Sequence, residues 1–137
     1  MGNAGVTSFL LDTNALLWLV TDSSRMSDDA RSTLADQSNE LVVSAASAWE
    51  IAIKTRIGRF DGKILLSTWA ERLTGMNATE LAIDSADASA AGQLDWAHND
   101  PFDRMIVAQA LRRNLTIATS DRVVLDGALT STLDTRA

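Results

Sequence analysis

Cysteine is absent from the 137 residues, and proline and histidine occur once each. Without cysteine there is no disulfide framework, no thiolate zinc site and no cysteine nucleophile, which fits a reducing compartment and makes the cytoplasm the expected location. No apolar run approaches the roughly 20 residues that span a bilayer, and no basic-then-apolar signal segment opens the chain, so no membrane association is expected. Gly2 follows Met1, but Val6 stands where a myristoylation motif needs Ser or Thr. A lone histidine also excludes ribonuclease chemistry of the paired-histidine kind, and His98 is expected to brace a loop or face solvent. No Pro- or Ser-rich linker, internal repeat, charge run or low-complexity tract marks a boundary. We therefore expect one domain over residues 1–137, with 1–5 and 134–137 loose. Positive charge is scarce too: 12 Lys plus Arg stand against 18 Asp plus Glu, for a net charge of −6. At face value that balance argues against a polyanionic partner.

What is present is an alternation of short apolar strands and helices. Residues 6–11 (VTSFLL), 40–44 (ELVVS), 81–83 and 115–119 (LTIAT) read as strands, with a last edge strand over 129–133. Helices are expected over 15–20, from Ser47 to about Ile57 before Gly58, over 63–73 with an apolar stripe, over 85–94, and over 101–113. Strands that are apolar on both faces and separated by helices point to an α/β fold, a parallel sheet covered on both sides.

In such a sheet, ligands bind beyond the carboxyl ends of the strands. Asp12 follows the first strand, Glu50 lies near the start of the helix after the second, Asp100 and Asp103 open the 101–113 helix, and Asp121 follows the fourth strand. Each has a bland reading. Ser47-Ala48-Trp49-Glu50 fits a capping box, and Asp100-Pro101 fits an N-cap followed by proline, with Asp103 favoured by the helix dipole. Asp12 could cap its helix, and Asp121 could be a turn residue. The bland readings do not explain why acids fall at the strand ends that line one crevice while no strand interior carries one. Gathered carboxylates repel one another and call for cations, and hard oxygen donors select Mg²⁺ or Mn²⁺ over zinc.

The segments LLDTNALLWL (10–19), VVSAASAWEIAIK (42–54), HNDPFDRMIVAQA (98–110) and LTIATSD (115–121) resemble, in order and spacing, the four acidic motifs of the PIN-domain ribonucleases, in particular the VapC-type toxins. The resemblance implies a three-layer α/β/α sandwich with a central, mainly parallel sheet. It also implies an endoribonuclease dependent on Mg²⁺ or Mn²⁺. Position by position, it gives Asp12, Glu50, Asp103 and Asp121 as the four motif acids, with Asp100 as the extra acid of the DPFDR form. Thr13, Asn14 and Thr119 fall where hydrogen bonds support the site. Ser120 stands where many relatives have a basic residue, which removes one phosphate contact. One or two metal ions would then activate water without a side-chain nucleophile. Toxins of this type dimerise and are silenced by a VapB-like antitoxin protein, so a homodimer and a heterooligomer with an antitoxin are expected.

Lys54, Arg56, Arg59 and Lys63 place four of the twelve cations within ten residues. Lys54 and Arg104, each within about a turn of a site acid, are the candidates for RNA contact, and Arg112 and Arg113 fit a solvated helix face equally well. Trp18, Trp49 and Trp69 are expected in core or interface positions rather than stacked on bases. Receiver and haloacid-phosphatase readings want a lysine late in the chain, and none follows Lys63; the phosphatase motif also needs Asp where Asn14 stands. A PIN-like module without activity, binding RNA or a protein, is the other alternative. Setting aside Asp12, Glu50, Asp103 and Asp121 leaves 14 acids against 12 bases. The acidic excess is then largely the candidate site, and the charge objection to RNA narrows to a scarcity of basic patches.

Overall fold

The computed structural model describes residues 7–127 and 129–136. Five strands, β1 (Ser8–Leu11), β2 (Glu40–Ser44), β3 (Ala78–Leu81), β4 (Thr116–Thr119) and β5 (Thr132–Asp134), form one sheet in the order β3-β2-β1-β4-β5. Every pairing is parallel, with Leu10 beside Val42 on one side and Ile117 on the other. Parallel neighbours require crossovers. These are supplied by α1 (Thr13–Thr21) and α2 (Asp28–Ala35), then α3 (Ala45–Arg56), α4 (Lys63–Ser67) and α5 (Trp69–Gly75), then α6 (Ser85–Gln93) and α7 (Pro101–Arg113), and finally α8 (Arg122–Gly127).

Strand periodicity divides the core into two. Phe9, Leu11, Leu41, Val43 and Ala118 point to one face, where Leu16, Met26, Leu34, Ile51, Leu65 and Leu73 pack on them. Leu10, Val42 and Ile117 point to the other, against Ile106, Val107, Ala110 and Val124. The chain is therefore an α/β/α sandwich. Leu10 and Leu11 have no exposed surface, and truncating either to Ala removes packing worth about 2–5 kcal/mol.

Several elements differ from their expected form. The 63–73 helix is two, because at Thr68 the backbone turns to φ −113° and the hydroxyl joins its own N–H on the Ile64 carbonyl. β3 starts three residues early, and Glu80 lies inside it, accepting from Trp69 Nε1 at 2.8 Å. The rule that no strand interior carries an acid therefore fails there. α2, where no helix was expected, is capped by Ser27, opens on Asp28 and Asp29, and buries just Ala30 and Leu34. Residues 134–136 are held, not loose: Thr135 is fully buried with its N–H on the Thr119 carbonyl, and Arg136 bridges to Met26. Residues 1–5, also expected to be loose, lie outside the described residues, as do Val6, which the first strand was expected to include, and Ala137. No described helix is long and apolar enough to cross a membrane.

Candidate active site

The carboxyl ends of β1, β2 and β4 meet helix N-termini at one edge of the sheet. Asp12 follows β1 and caps α1, its Oδ1 accepting from the Ala15 N–H at 2.8 Å. Its other oxygen accepts from the Thr119 hydroxyl, which in turn accepts from the Asp121 N–H at 3.0 Å. Thr119, at the end of β4 and fully buried, thus ties two of the predicted acids together. Asp121 accepts from the Val123 N–H at 2.9 Å at the start of α8. Asp100 caps α7 through the Phe102 and Asp103 N–H groups at 2.9 and 3.0 Å. The capping readings of Asp12 and Asp100 are real. Capping and cavity-lining coexist, because a helix N-terminus faces the crevice and favours negative charge.

Glu50 is different. The helix after β2 starts at Ala45, capped by Ser44 Oγ on the Ala46 N–H, not at Ser47. Glu50 therefore sits in the second turn and makes no capping box. Its Oε1 accepts from Thr13 Oγ1 at 2.7 Å, and its Oε2 lies 2.8 Å from Lys54 Nζ. Ser47, fully buried, puts its Oγ 3.0 Å from the same Thr13 hydroxyl.

Asp12, Thr13, Asn14, Glu50, Lys54, Asp100, Asp103 and Asp121 line one cavity of about 190 Å³. Burial is the main electrostatic influence on two of them. It pushes Asp12 up to about 6 against the hydrogen bonds from Thr119 and Ala15, with Asp103 and Asp121 adding repulsion. It pushes Asp103 up to about 6 as well, opposed by the hydrogen bond from His98 and helped by Asp100 and Asp121. Lys54 is the one cation lining this cavity. Five carboxylates, two of them reluctant to ionise, make a donor set of hard oxygens suited to a divalent ion. Among the described residues no three acid or histidine side chains are gathered closely enough to hold an ion without moving.

Two residues depart from their expected roles. Arg104 was a candidate for RNA contact, but its guanidinium donates to the carbonyls of Ala91, Gly92, Leu94, Trp96 and His98. All five of its N–H groups are used, which leaves none for a phosphate. His98 braces more than a loop. Its Nε2 lies 2.7 Å from Asp103 Oδ2, and its ring packs 4.9 Å from that of Trp96. The only cue in the sequence was its place five residues before Asp103. Trp18 and Trp69 pack against the core, whereas Trp49 is 55% exposed with its ring edge-to-face on Phe102 at 4.9 Å. Arg112 and Arg113 grip the buried Asp87 rather than facing solvent alone.

Known proteins resemble the chain along most of its length. It is 29% identical over 117 residues to Ribonuclease VapC22 of Mycobacterium tuberculosis, covering 85% of this chain and 89% of that protein. The fold matches VapBC2 from Rickettsia felis, solved bound to a DNA fragment from its promoter, at TM-score 0.68 and 14% identity, over 94% of this chain and 99% of that one. It also matches VapBC-1 from nontypeable Haemophilus influenzae at TM-score 0.62 and 19% identity, over 93% and 98%. Residues 9–127 match the PIN domain, and the chain belongs to that family.

Proposed function

We propose that the protein is a metal-dependent endoribonuclease, the toxin of a VapBC-type pair, acting in the cytoplasm. The observation that carries this reading is the convergence of Asp12, Glu50, Asp100, Asp103 and Asp121 on one cavity, with Asp12 and Asp103 both pushed to about 6. Mg²⁺ or Mn²⁺ bound there supplies Lewis-acid activation of water and positive charge for the scissile phosphate. Asp12 and Asp103 hold the ion, and Glu50 and Asp121 complete the set or orient water, with Asp100 at the rim. Thr13 and Thr119 fix the carboxylates of Glu50 and Asp12 through the bonds described above. Asn14, exposed at the cavity wall, is free to turn toward substrate or water. Lys54 offsets the Glu50 charge in the absence of an ion and is placed to meet a phosphate once an ion takes over that task.

Purified protein is expected to cleave total RNA when Mg²⁺ or Mn²⁺ is present and to stop in chelator, with Asp12→Asn inactive. Equal degradation by wild type and variant, or none with Mn²⁺ added, overturns the nuclease reading. RNA bound but never cut would leave a binding module.

The toxin role follows from the similarity to VapC22 and the VapBC folds. A VapB-like antitoxin and a second copy of the chain are its expected partners. Expression alone should arrest growth, and co-expression of the antitoxin should restore it. Normal growth at verified protein levels argues against the role.

A further inference from the structure

Most of the positive charge is already committed. Of the twelve Lys and Arg residues, Arg31, Arg112, Arg113, Arg122 and Arg136 pair with aspartates, and Lys54 pairs with Glu50. Arg104 is consumed by carbonyls, and Arg25 lies over the Trp18 ring at 5.1 Å. Among the described residues this leaves Arg56, Arg59, Lys63 and Arg72 without an acidic partner, and three of the four cluster where α3 ends.

The loop that carries them is built rather than slack. Gly58 takes φ +79°, and the Arg59 N–H returns to the Lys54 carbonyl at 2.9 Å. Gly62 donates to Thr55 Oγ1 at 3.0 Å and lies so close to α3 that a Cβ would stand 2.5 Å from Ile51 Cγ2. The result is a recess of about 380 Å³ lined by Thr55, Gly58, Arg59, Phe60, Asp61 and Lys63. Asp61 is its one acid, and it accepts from the Lys63 N–H at 3.3 Å. Thr55, in the recess wall, is adjacent in sequence to Lys54, which lines the acidic cavity. The recess and the cavity thus both draw a wall residue from the C-terminal half of α3.

Taking RNA as the substrate of the acidic cavity, we propose that this recess is a phosphate subsite. Arg59 and Lys63, with Arg56 in the last turn of α3, hold backbone phosphates of the RNA strand a few nucleotides from the bond that is cut. An acidic cavity repels the polyanion it must admit. The unpaired cations of the recess supply the grip, without reading sequence.

The test is binding of a fluorescein-labelled single-stranded 12-mer RNA to the full chain in EDTA, read by anisotropy across a salt series, with cleavage in Mn²⁺ measured separately. The Arg59→Glu/Lys63→Glu variant should weaken binding about tenfold or more, and the log–log salt slope should fall by roughly 0.7 for each phosphate no longer held. Arg59→Gln/Lys63→Gln should lie between this variant and wild type. The control is Arg72→Glu, which makes the charge change of a single Arg59→Glu variant at the remaining unpaired cation, on α5, and should bind as wild type does. Equal losses in Arg72→Glu and in a single Arg59→Glu variant would reduce the effect to net charge and overturn the subsite. So would wild-type affinity in the double variant, including the case where it instead loses affinity for an acidic protein partner. If binding depends on Arg59 and Lys63 but no RNA is cut in Mn²⁺, the subsite stands and the nuclease reading falls.

Discussion

His98 Nε2 and Asp103 Oδ2 lie 2.7 Å apart, with the two side chains 24% and 20% exposed. This contact links the loop before α7 to the floor of the acidic cavity. It also opposes the burial that raises Asp103. His98 therefore acts on the site through the Asp103 carboxyl that it contacts.

Removing it has a definite sign. Without the hydrogen bond, the Asp103 carboxyl should rise above its value of about 6 and be less ionised near neutrality. His98→Ala should therefore bind Mn²⁺ several-fold more weakly than wild type at pH 6.5. The gap should close by pH 8, where Asp103 is ionised in both proteins. His98→Gln, which keeps a donor, should lie closer to wild type. Calorimetric Mn²⁺ titrations at several pH values measure this, and a loss of the same size at every pH would point to disrupted folding instead.

Asp12 should destabilise the metal-free fold at neutral pH. Its folded value of about 6 exceeds the ordinary 3.8. A carboxyl raised in this way lends stability at low pH and loses it as pH rises through 6. The difference of about two units corresponds to a ceiling of about 3 kcal/mol. Asp12→Asn, which loses part of the Thr119 bond, should still melt several degrees above wild type at pH 7.5 in EDTA. The two should converge below pH 4, and Mn²⁺ should raise the melting temperature of wild type only. A variant that melts lower than wild type in EDTA at pH 7.5 contradicts the account.

The acids at the strand ends were legible because each follows a local signal, an apolar β-branched run or a helix start. The sheet topology then carries them to one edge. The roles of Arg104 and His98 were not legible. Spacing puts Arg104 next to Asp103, but tertiary closure decides that its guanidinium turns to five carbonyls of residues 91–98. Glu50 was ambiguous for a similar reason: S-x-x-E is a capping box only if the helix begins at the serine, and the Ser44 cap moves the start three residues upstream. Pattern brought the acids to one cavity, and side-chain packing assigned their partners.

Arg104→Lys separates charge from geometry. An ammonium keeps the positive charge but cannot reach five carbonyls from one planar fork. If Arg104 gripped phosphate through its charge, lysine would retain much of the RNA affinity and the fold would be unaffected. The observed bonds lead us instead to expect a stability loss of about 1–3 kcal/mol, since several part-buried carbonyls lose their donors. Amides of residues 92–99 should exchange faster, and cleavage should fall as His98 loses its anchor. Hydrogen exchange by mass spectrometry localises the effect. Unchanged protection in that loop would return Arg104 to the candidates for phosphate contact.

Asp87 is the counterpart of Asp12, a buried aspartate whose electrostatics serve the fold. Burial alone would raise its carboxyl, but hydrogen bonds from Arg113, Gln109, the Asp84 capping box and Arg112 hold it well below the usual carboxylate range. A depressed carboxyl lends stability above its unfolded value near 3.8 and loses it as pH falls further. Asp87→Asn should therefore cost about 3 kcal/mol at pH 7, because two guanidiniums lose their anion while staying partly buried. The cost should hold from pH 8 to about 5 and shrink below 4. Urea unfolding at pH 7 and pH 3 measures it. A cost that grows with falling pH, or a variant more stable than wild type at pH 7, would mean that Asp87, like Asp12, is strained by its burial rather than satisfied.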